Sequence, residues 1–216
     1  KILKRFNFKY LHEGITKSQA KISASKLAHE DVWKDYIAVS RPAFIAEKSI
    51  TPTEKGTALH EFLHFANYSE TLKDFDVHLK HLQEGKFLTD TQIQAIDKSS
   101  VFKFLKGNLG QRIMRSNKLL REYRFTVGVQ GGEMNAQDAS EDDKIIIQGA
   151  IDCVFEEEDG FVIVDYKTDR VQNLNILRDR YAKQLNIYKY AFEICEEERV
   201  KELLIYSLFI GKEIKI

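Results

Sequence analysis

The first half of the chain carries apolar residues at the spacing of a helix with one buried face. The clearest helix is expected to begin after Pro52, with Thr53 or Thr57 as its N-cap. Residues 70–118 continue as polar-rich helical segments separated by glycines. We therefore predict a mainly helical part over residues 1–118. The i, i+3, i+4, i+7 positions of the clearest helix are Leu59, Phe62, Leu63 and Ala66.

The second half changes to the two-residue alternation of β-strands. Leu119–Val129 alternates between apolar and polar side chains, and two β-branched runs, Ile145–Phe155 and Phe161–Lys167, flank an acidic turn typical of a hairpin. A long helix is expected over about residues 173–195, followed by a strand over Leu203–Ile210. This order favours an α+β or mixed α/β fold and argues against a doubly wound parallel sheet.

Composition limits the classes of protein that this sequence can represent. The 216 residues include 33 basic and 33 acidic side chains, so a uniformly basic nucleic-acid surface is not expected. Two cysteines, Cys153 and Cys195, are too few for a disulfide framework, a four-cysteine zinc site or an iron–sulfur cluster. No apolar run approaches about 18 residues and no signal-like segment opens the chain, which predicts a cytoplasmic protein without a membrane partner. Because the chain opens at Lys1 without methionine, we interpret it as a domain of a longer protein.

Charged residues interrupt both apolar strands of the predicted hairpin. If the turn is centred between Glu158 and Asp159, Asp152 lies opposite Asp165, and a shift of one residue places it opposite Lys167. Asp165 and Lys167 share a strand face, so both registers bring two carboxylates and one ammonium together. Their Cβ atoms are expected to lie about 4.5–5.5 Å apart across the strands.

Two carboxylates this close on a half-buried face are costly to ionise together. They either share a proton or hold a cation, and an incomplete set of oxygen ligands is what Mg²⁺ prefers. Such a metal polarises a phosphoryl oxygen, and a neighbouring lysine can stabilise negative charge or orient the attacking water. The alternative is a structural ion pair in which Lys167 neutralises Asp165. Asp152 on the facing strand favours the metal site.

Four sequence motifs occur in a recognisable order along the chain. They are I-S-A-S-K-L at Ile22–Leu27, G-T-A-L-H at Gly56–His60, the paired runs Gly149–Asp152 and Val162–Asp169, and Q-L-x-x-Y at Gln184–Tyr188. Together they resemble the RecB-type branch of the PD-(D/E)XK nucleases. Within that branch the strongest resemblance is to the AddA type, the C-terminal nuclease domains of bacterial AddAB helicase–nucleases, whose first core strand resembles Arg121–Phe125.

The resemblance implies a fold and an activity. The fold would be one restriction-endonuclease-like nuclease domain, a central mixed sheet flanked by helices. Residues 119–216 would form its core sheet and helix, and residues 1–118 a helical N-terminal extension that includes the helix bearing His60. The activity would be an Mg²⁺-dependent, or Mn²⁺-dependent, DNA exonuclease that acts on DNA ends in double-strand break repair and recombination. The expected partners are a DNA single strand delivered from a duplex end and an AddB-like second subunit. No iron–sulfur cluster is expected, because the four cysteines that hold one in AddB are absent.

Residue roles can be carried over from this family by position. The resemblance assigns catalysis to Asp152, Asp165 and Lys167. It makes His60, Asp152 and Asp165 metal ligands, with the backbone carbonyl of Tyr166 as a fourth. Supporting or DNA-positioning roles fall to Glu122, Gln184 and Tyr188.

Other interpretations of these residues remain open. Gln184 and Tyr188 also fit a packing stripe on the long helix, and for the nearby Tyr181 we prefer that interpretation. His60–His64 reads H-E-x-x-H, the zinc metalloprotease signature, but the expected third-ligand motif is missing and the aspartates would be left unexplained. A nuclease-fold module that binds DNA or a partner without cutting is a further alternative, although such a copy would be expected to have lost Asp165 or Lys167.

Overall fold

The computed structural model describes residues 21–29, 50–130 and 144–216. Helices precede the main strands, as the sequence predicts, and one long helix separates the last two pairs of strands. None of the helices in these ranges has the length and apolar character needed to cross a membrane. The helices are α1 (Ala24–His29), α2 (Pro52–Phe65), α3 (Tyr68–Lys73), α4 (Phe75–Glu84), α5 (Asp90–Ala95), α6 (Lys98–Lys106), α7 (Asn108–Arg115) and α8 (Leu174–Glu196).

The strands form one mixed, six-stranded sheet. β3 is its longest strand and pairs with β2 along one edge. Its other edge is shared, because β1 pairs in parallel with the first half of β3 and β4 pairs antiparallel with the second half. β5 then pairs in parallel with β4 and antiparallel with β6. The strands are β1 (Lys21–Ser23), β2 (Leu119–Gln130), β3 (Lys144–Glu157), β4 (Gly160–Lys167), β5 (Val200–Ser207) and β6 (Lys212–Lys215).

Both faces of the sheet are covered, so the apolar residues divide into two cores. One core packs α8 and α1 against residues such as Ile151, Ile163 and Ile205. The other packs the helices between residues 52 and 115 against residues such as Val164 and Tyr206. The predicted mixed sheet flanked by helices is therefore confirmed. β4 is buried on both faces, which explains why its sequence is a continuous apolar run.

Helix α2 begins earlier than the sequence suggested. Its N-cap is Thr51, not Thr53 or Thr57: the Thr51 hydroxyl accepts from the Glu54 amide at 3.2 Å, and the Glu54 carboxylate accepts from the Thr51 amide at 2.7 Å. This reciprocal capping box places Pro52 at the first helical position, where its missing amide costs nothing. The predicted apolar stripe of α2 is buried.

The last strands also differ from the sequence prediction. The strand expected over Leu203–Ile210 runs from Val200 to Ser207, and a further strand, β6, follows. Val200 is buried beside β4, whereas residues 208–211 form the turn into β6. The four residues of β6 are exposed or half-buried, so the sequence carries little apolar alternation to reveal them.

Candidate active site

The register of the β3–β4 hairpin brings the predicted aspartates together. Cys153 pairs with Val164 and Glu157 with Gly160, which centres the turn between Glu158 and Asp159. Continuing this register by one residue sets Asp152 beside Asp165, the first of the two arrangements that the sequence allowed. The backbone amide of Tyr166 donates to Asp152 Oδ2 at 2.7 Å and fixes the carboxylate across the two strands.

The sheet is distorted at this point. Ile151 and Cys153 belong to opposite apolar cores although they are two residues apart, so the alternation of side chains breaks at Asp152. Glu122 lies directly across on β2 and has a φ of 49°, in the left-handed region that non-glycine residues rarely adopt. The regular alternation assumed from the sequence is therefore wrong for this part of β3. Glu122 stands next to the predicted carboxylates at the distortion, where strained residues often serve a function.

Helix α2 supplies His60 from one face of the sheet. Its Nδ1 lies 3.7 Å from Asp152 Oδ2, and its ring meets the Tyr166 ring edge-on with centroids 6.0 Å apart. The approach of this helix depends on Gly56, because a Cβ there would lie 2.8 Å from Thr168 Oγ1. The glycine and the histidine of the G-T-A-L-H motif thus belong to one arrangement: the first lets α2 reach the end of β4, and the second faces the aspartates.

Helix α8 supplies the opposite wall. Gln184 Oε1 lies 3.5 Å from Lys167 Nζ, and its amide nitrogen lies 2.6 Å from the Tyr188 hydroxyl and 3.3 Å from Ser25 Oγ. Gln184 and Tyr188 are buried. Ser25 was not predicted as a site residue, although it falls within the I-S-A-S-K-L motif. Its contact explains why that segment accompanies the others: α1 packs on α8 and holds the glutamine that faces Lys167.

Lys167 and Asp165 form the closest ionic contact of the site. Lys167 Nζ lies 2.7 Å from Asp165 Oδ2, and the side chain of Asp165 is 2% exposed. This contact lacks hydrogen-bond geometry, so within the described residues Asp165 Oδ2 is a buried oxygen without a hydrogen-bond donor. A cation that displaces the ammonium would meet a carboxylate oxygen that gives up no well-aligned hydrogen bond.

The site holds two carboxyl groups and one ammonium, so ionising both carboxyls leaves an excess of negative charge. Burial, reinforced by the neighbouring Asp165 carboxylate, raises the pKa of Asp152 well above its usual value. Burial alone would lower the pKa of Lys167, but Asp165 outweighs it and raises that pKa, so Lys167 is an ammonium at neutral pH. Burial lowers the pKa of His60, which leaves its imidazole neutral and able to ligate a metal. Burial and the Asp165 charge together raise the pKa of Tyr188 to about 12.

This donor set fits a hard divalent cation. Two carboxylates largely shielded from solvent face a single ammonium, one carboxylate oxygen lacks a hydrogen bond, and a neutral imidazole stands beside them. Among the residues that the structure describes, no three His, Cys, Asp or Glu side chains have already converged as a metal site. The Lys167 ammonium lies against the carboxylate instead, as expected of a cation that neutralises Asp165.

The second histidine of the H-E-x-x-H sequence has different surroundings. The His64 ring stacks on Phe65 with centroids 4.1 Å apart, and the His64 carbonyl accepts from Arg121 Nη1 at 2.9 Å. His60 instead has its ionic contact with Asp152. The environment of His60 therefore favours a carboxylate–imidazole site over a site built on the two histidines.

The chain is similar to known proteins along most of its length. Residues 36–211 match the model of the PD-(D/E)XK nuclease superfamily. The chain is 32% identical, over all of its length, to an ATP-dependent helicase/nuclease subunit of Clostridium botulinum strain Hall, and it covers 18% of that protein. It is also 32% identical, over 97% of its length, to the protein of the same name in Acetivibrio thermocellus, again covering 18% of it.

Among solved structures, the protein SSO0001 aligns over 100% of this chain and 71% of its own, with a TM-score of 0.38 and 11% identity, which is too remote to bear on fold or function. The superfamily match is far more informative, because the matched residues include both strands of the hairpin, the G-T-A-L-H helix and the long helix α8. The resemblance expected from the motifs is thus confirmed, and with it the restriction-endonuclease-like fold. The chain belongs to the PD-(D/E)XK nuclease superfamily.

Proposed function

We propose that this chain is the metal-dependent DNA exonuclease domain of a helicase–nuclease subunit of the AddA type. One observation carries the proposal: the Asp152 and Asp165 carboxylates lie side by side, largely shielded from solvent, against a single ammonium, that of Lys167. A structural ion pair requires one carboxylate, and the second adds a charge that burial makes costly. A site prepared for a divalent cation accounts for both.

The roles follow from the surroundings of each group. Asp152, Asp165 and neutral His60 would hold Mg²⁺ or Mn²⁺, with the Tyr166 carbonyl as a further oxygen ligand. When bound, the metal supplies Lewis-acid activation of a phosphoryl oxygen and of a water molecule. Tyr166 contributes a contact of its own, because its amide holds the Asp152 carboxylate in place.

Lys167 acts through its charge. Because Asp165 raises its pKa, the side chain is a poor general base at neutral pH, but it can stabilise negative charge on a phosphodiester undergoing hydrolysis. Gln184 limits where the ammonium can move, and Tyr188 and Ser25 fix Gln184 in turn. Glu122 takes a supporting part beside the carboxylates.

The longer protein gives this domain its context. The chain spans 18% of the length of these relatives, which are named as helicase/nuclease subunits. We infer that this chain works in the cytoplasm within such a subunit, together with an AddB-like partner, on DNA ends in double-strand break repair. A motor in the same polypeptide supplies the DNA strand at high local concentration, so the neutral domain does not need to bind DNA tightly by itself.

The proposal is tested by degradation of end-labelled linear DNA, with closed circular DNA of the same sequence as the control. We expect linear DNA to be degraded with Mg²⁺ or Mn²⁺, no degradation with chelator, and survival of the circles. Asp165→Asn should be inactive, whereas Asp159→Asn, which removes an exposed carboxylate from the same hairpin, should cut normally. Binding of DNA without metal-dependent cutting would instead identify a non-catalytic nuclease-fold module.

A further inference from the structure

Tyr181 on α8 lies directly against the side chain of Lys167. The ammonium nitrogen stands 4.2 Å from the centroid of the Tyr181 ring. This distance is well within the range of about 6 Å over which an aromatic face attracts a cation. The ring packs against the core, as the sequence favoured, and it also contacts a functional group of the candidate site.

The Tyr181 ring is itself fixed from the end of strand β4. Its hydroxyl lies 3.0 and 3.1 Å from the two carboxylate oxygens of Asp169, two residues after Lys167. Arg180, the neighbour of Tyr181 on α8, forms an ion pair with the same carboxylate. Asp169 therefore joins α8 to the segment that carries the lysine, and the ring is held at a set distance from the ammonium.

A lysine needs such a constraint because its side chain rotates freely about four bonds and loses entropy when it is held in place. Asp165 alone would hold the ammonium by occupying a carboxylate oxygen. The attraction of an aromatic face uses none of the oxygens, so it can keep Lys167 in position while Asp165 remains available to another cation.

We propose that Tyr181 is a positioning residue that holds the Lys167 ammonium over its ring, at the place where the ammonium meets the phosphate undergoing cleavage. Its contact with Lys167 does not depend on what the protein does, whereas its effect on catalysis rests on the proposed nuclease function. Asp169 and Arg180 act through Tyr181.

The test compares two substitutions that separate the ring from the hydroxyl. Tyr181→Phe keeps the ring and loses the contact with Asp169, whereas Tyr181→Leu loses both. We expect Tyr181→Leu to lower kcat for linear DNA by about 10- to 30-fold with KM unchanged, the loss of one partly buried cation–π contact. Tyr181→Phe should stay within about threefold of the parent, and Tyr190→Leu on the same helix serves as the control for a lost tyrosine.

A second measurement is independent of catalysis. Protons above an aromatic ring resonate upfield, so the ε-methylene protons of Lys167 should be shifted upfield in the NMR spectrum of the metal-free protein. The shift should persist in Tyr181→Phe and disappear in Tyr181→Leu, with the melting temperature of each variant checked alongside. Parental kcat in Tyr181→Leu, an equal loss of kcat in Tyr181→Phe, or a lysine resonance that ignores both substitutions would overturn the proposal.

These readouts keep the two proposals apart. If the parent chain cuts DNA but Tyr181→Leu cuts equally well, the role of Tyr181 is wrong and the nuclease function stands. If the parent chain does not cut, the nuclease function fails, and the lysine resonance still decides whether Tyr181 holds the ammonium.

Discussion

Two clusters of charged side chains lie at opposite ends of the β3–β4 hairpin. The turn cluster consists of Arg112, Glu157, Lys201 and Glu202. Arg112 contacts Glu157 at 2.9 Å and Glu202 at 2.6 Å, and Lys201 contacts Glu157 at 2.8 Å. Hydrogen bonds from Arg112, helped by Lys201, lower the pKa of Glu157 to about 2. The cluster has two carboxylates and two cations, so its charges are balanced.

The site cluster, Asp152, Asp165 and Lys167, differs in this balance. It has two carboxylates and one ammonium, and burial together with Asp165 raises the pKa of Asp152 where that of Glu157 is lowered. Two clusters of charged residues at the same hairpin can therefore have different roles. A balanced cluster stabilises the fold, whereas an unbalanced cluster keeps binding capacity at a cost in stability.

The largest expected effect is on cleavage. Asp165→Asn and Lys167→Ala should each reduce the rate of DNA degradation by at least about 100-fold, because each removes a charged group that the reaction needs. Glu157→Gln, the matched change in the turn cluster, should cut within about threefold of the parent at a temperature where it is folded. If Glu157→Gln were as inactive as Asp165→Asn, the assignment of the two clusters would be wrong.

The second effect is on stability, and here the turn cluster should matter more than the site cluster. Arg112→Ala leaves Glu157 and Glu202 partly buried without their shared cation, and we expect it to lower the free energy of unfolding by about 1–3 kcal/mol. Urea denaturation measures the change, with Arg115→Ala, an exposed arginine one turn away, as the control at about 0.5 kcal/mol or less. A loss of cleavage without a loss of stability in Arg112→Ala would contradict the structural role of the turn cluster.

Asp152→Asn sharpens the same contrast within the site. Because the pKa of Asp152 is raised, its ionised form is disfavoured in the folded protein at neutral pH, and removing the charge should stabilise the metal-free chain by about 1 kcal/mol. The asparagine oxygen can still accept from Tyr166. Cleavage should be lost. The measurement is a thermal melt in chelator, run beside the nuclease assay. A variant less stable than the parent would contradict this account.

The smallest effect is the pH dependence of the turn cluster. The folded pKa of Glu157 lies near 2, below its ordinary value of 4.5, so its contribution to stability is complete above about pH 4.5 and declines as the pH falls towards 2. The destabilisation caused by Glu157→Gln should therefore be equal at pH 7 and pH 5.5 and smaller at pH 3. Urea midpoints of both proteins at the three pH values provide the measurement, and a difference that grows on acidification would contradict it.

The sequence predicted the helices and strands of the site better than the irregularities within them and the contacts between them. Local patterns were sufficient for the stripe of α2, the hairpin and the extent of α8, because each depends on residues close together in the chain. The distortion at Asp152 was not predicted, since strand periodicity assumes constant alternation and carries no sign of the left-handed Glu122 opposite. The turn cluster was also missed, because Arg112 meets Glu157 and Glu202 from 45 and 90 residues away.

Tyr181 shows the same limit. Its spacing on α8 fits a packing stripe, and only the fold brings its ring to Lys167 and its hydroxyl to Asp169. The order of the motifs could indicate that Gln184 and Tyr188 matter, but nothing local distinguishes Tyr181 from a core tyrosine. Residues that position a functional group from another element become visible once the elements are placed together.

The most direct test of the central claim is the location of a bound metal in a crystal of this chain soaked in Mn²⁺. Anomalous scattering should show one strong peak among Asp152, Asp165 and His60, with metal–oxygen distances to the aspartates of about 2.0–2.3 Å. The Lys167 ammonium should have moved off Asp165 towards Tyr181. A metal held by His60 and His64, or one bound at the turn cluster in preference to the site cluster, would contradict the account.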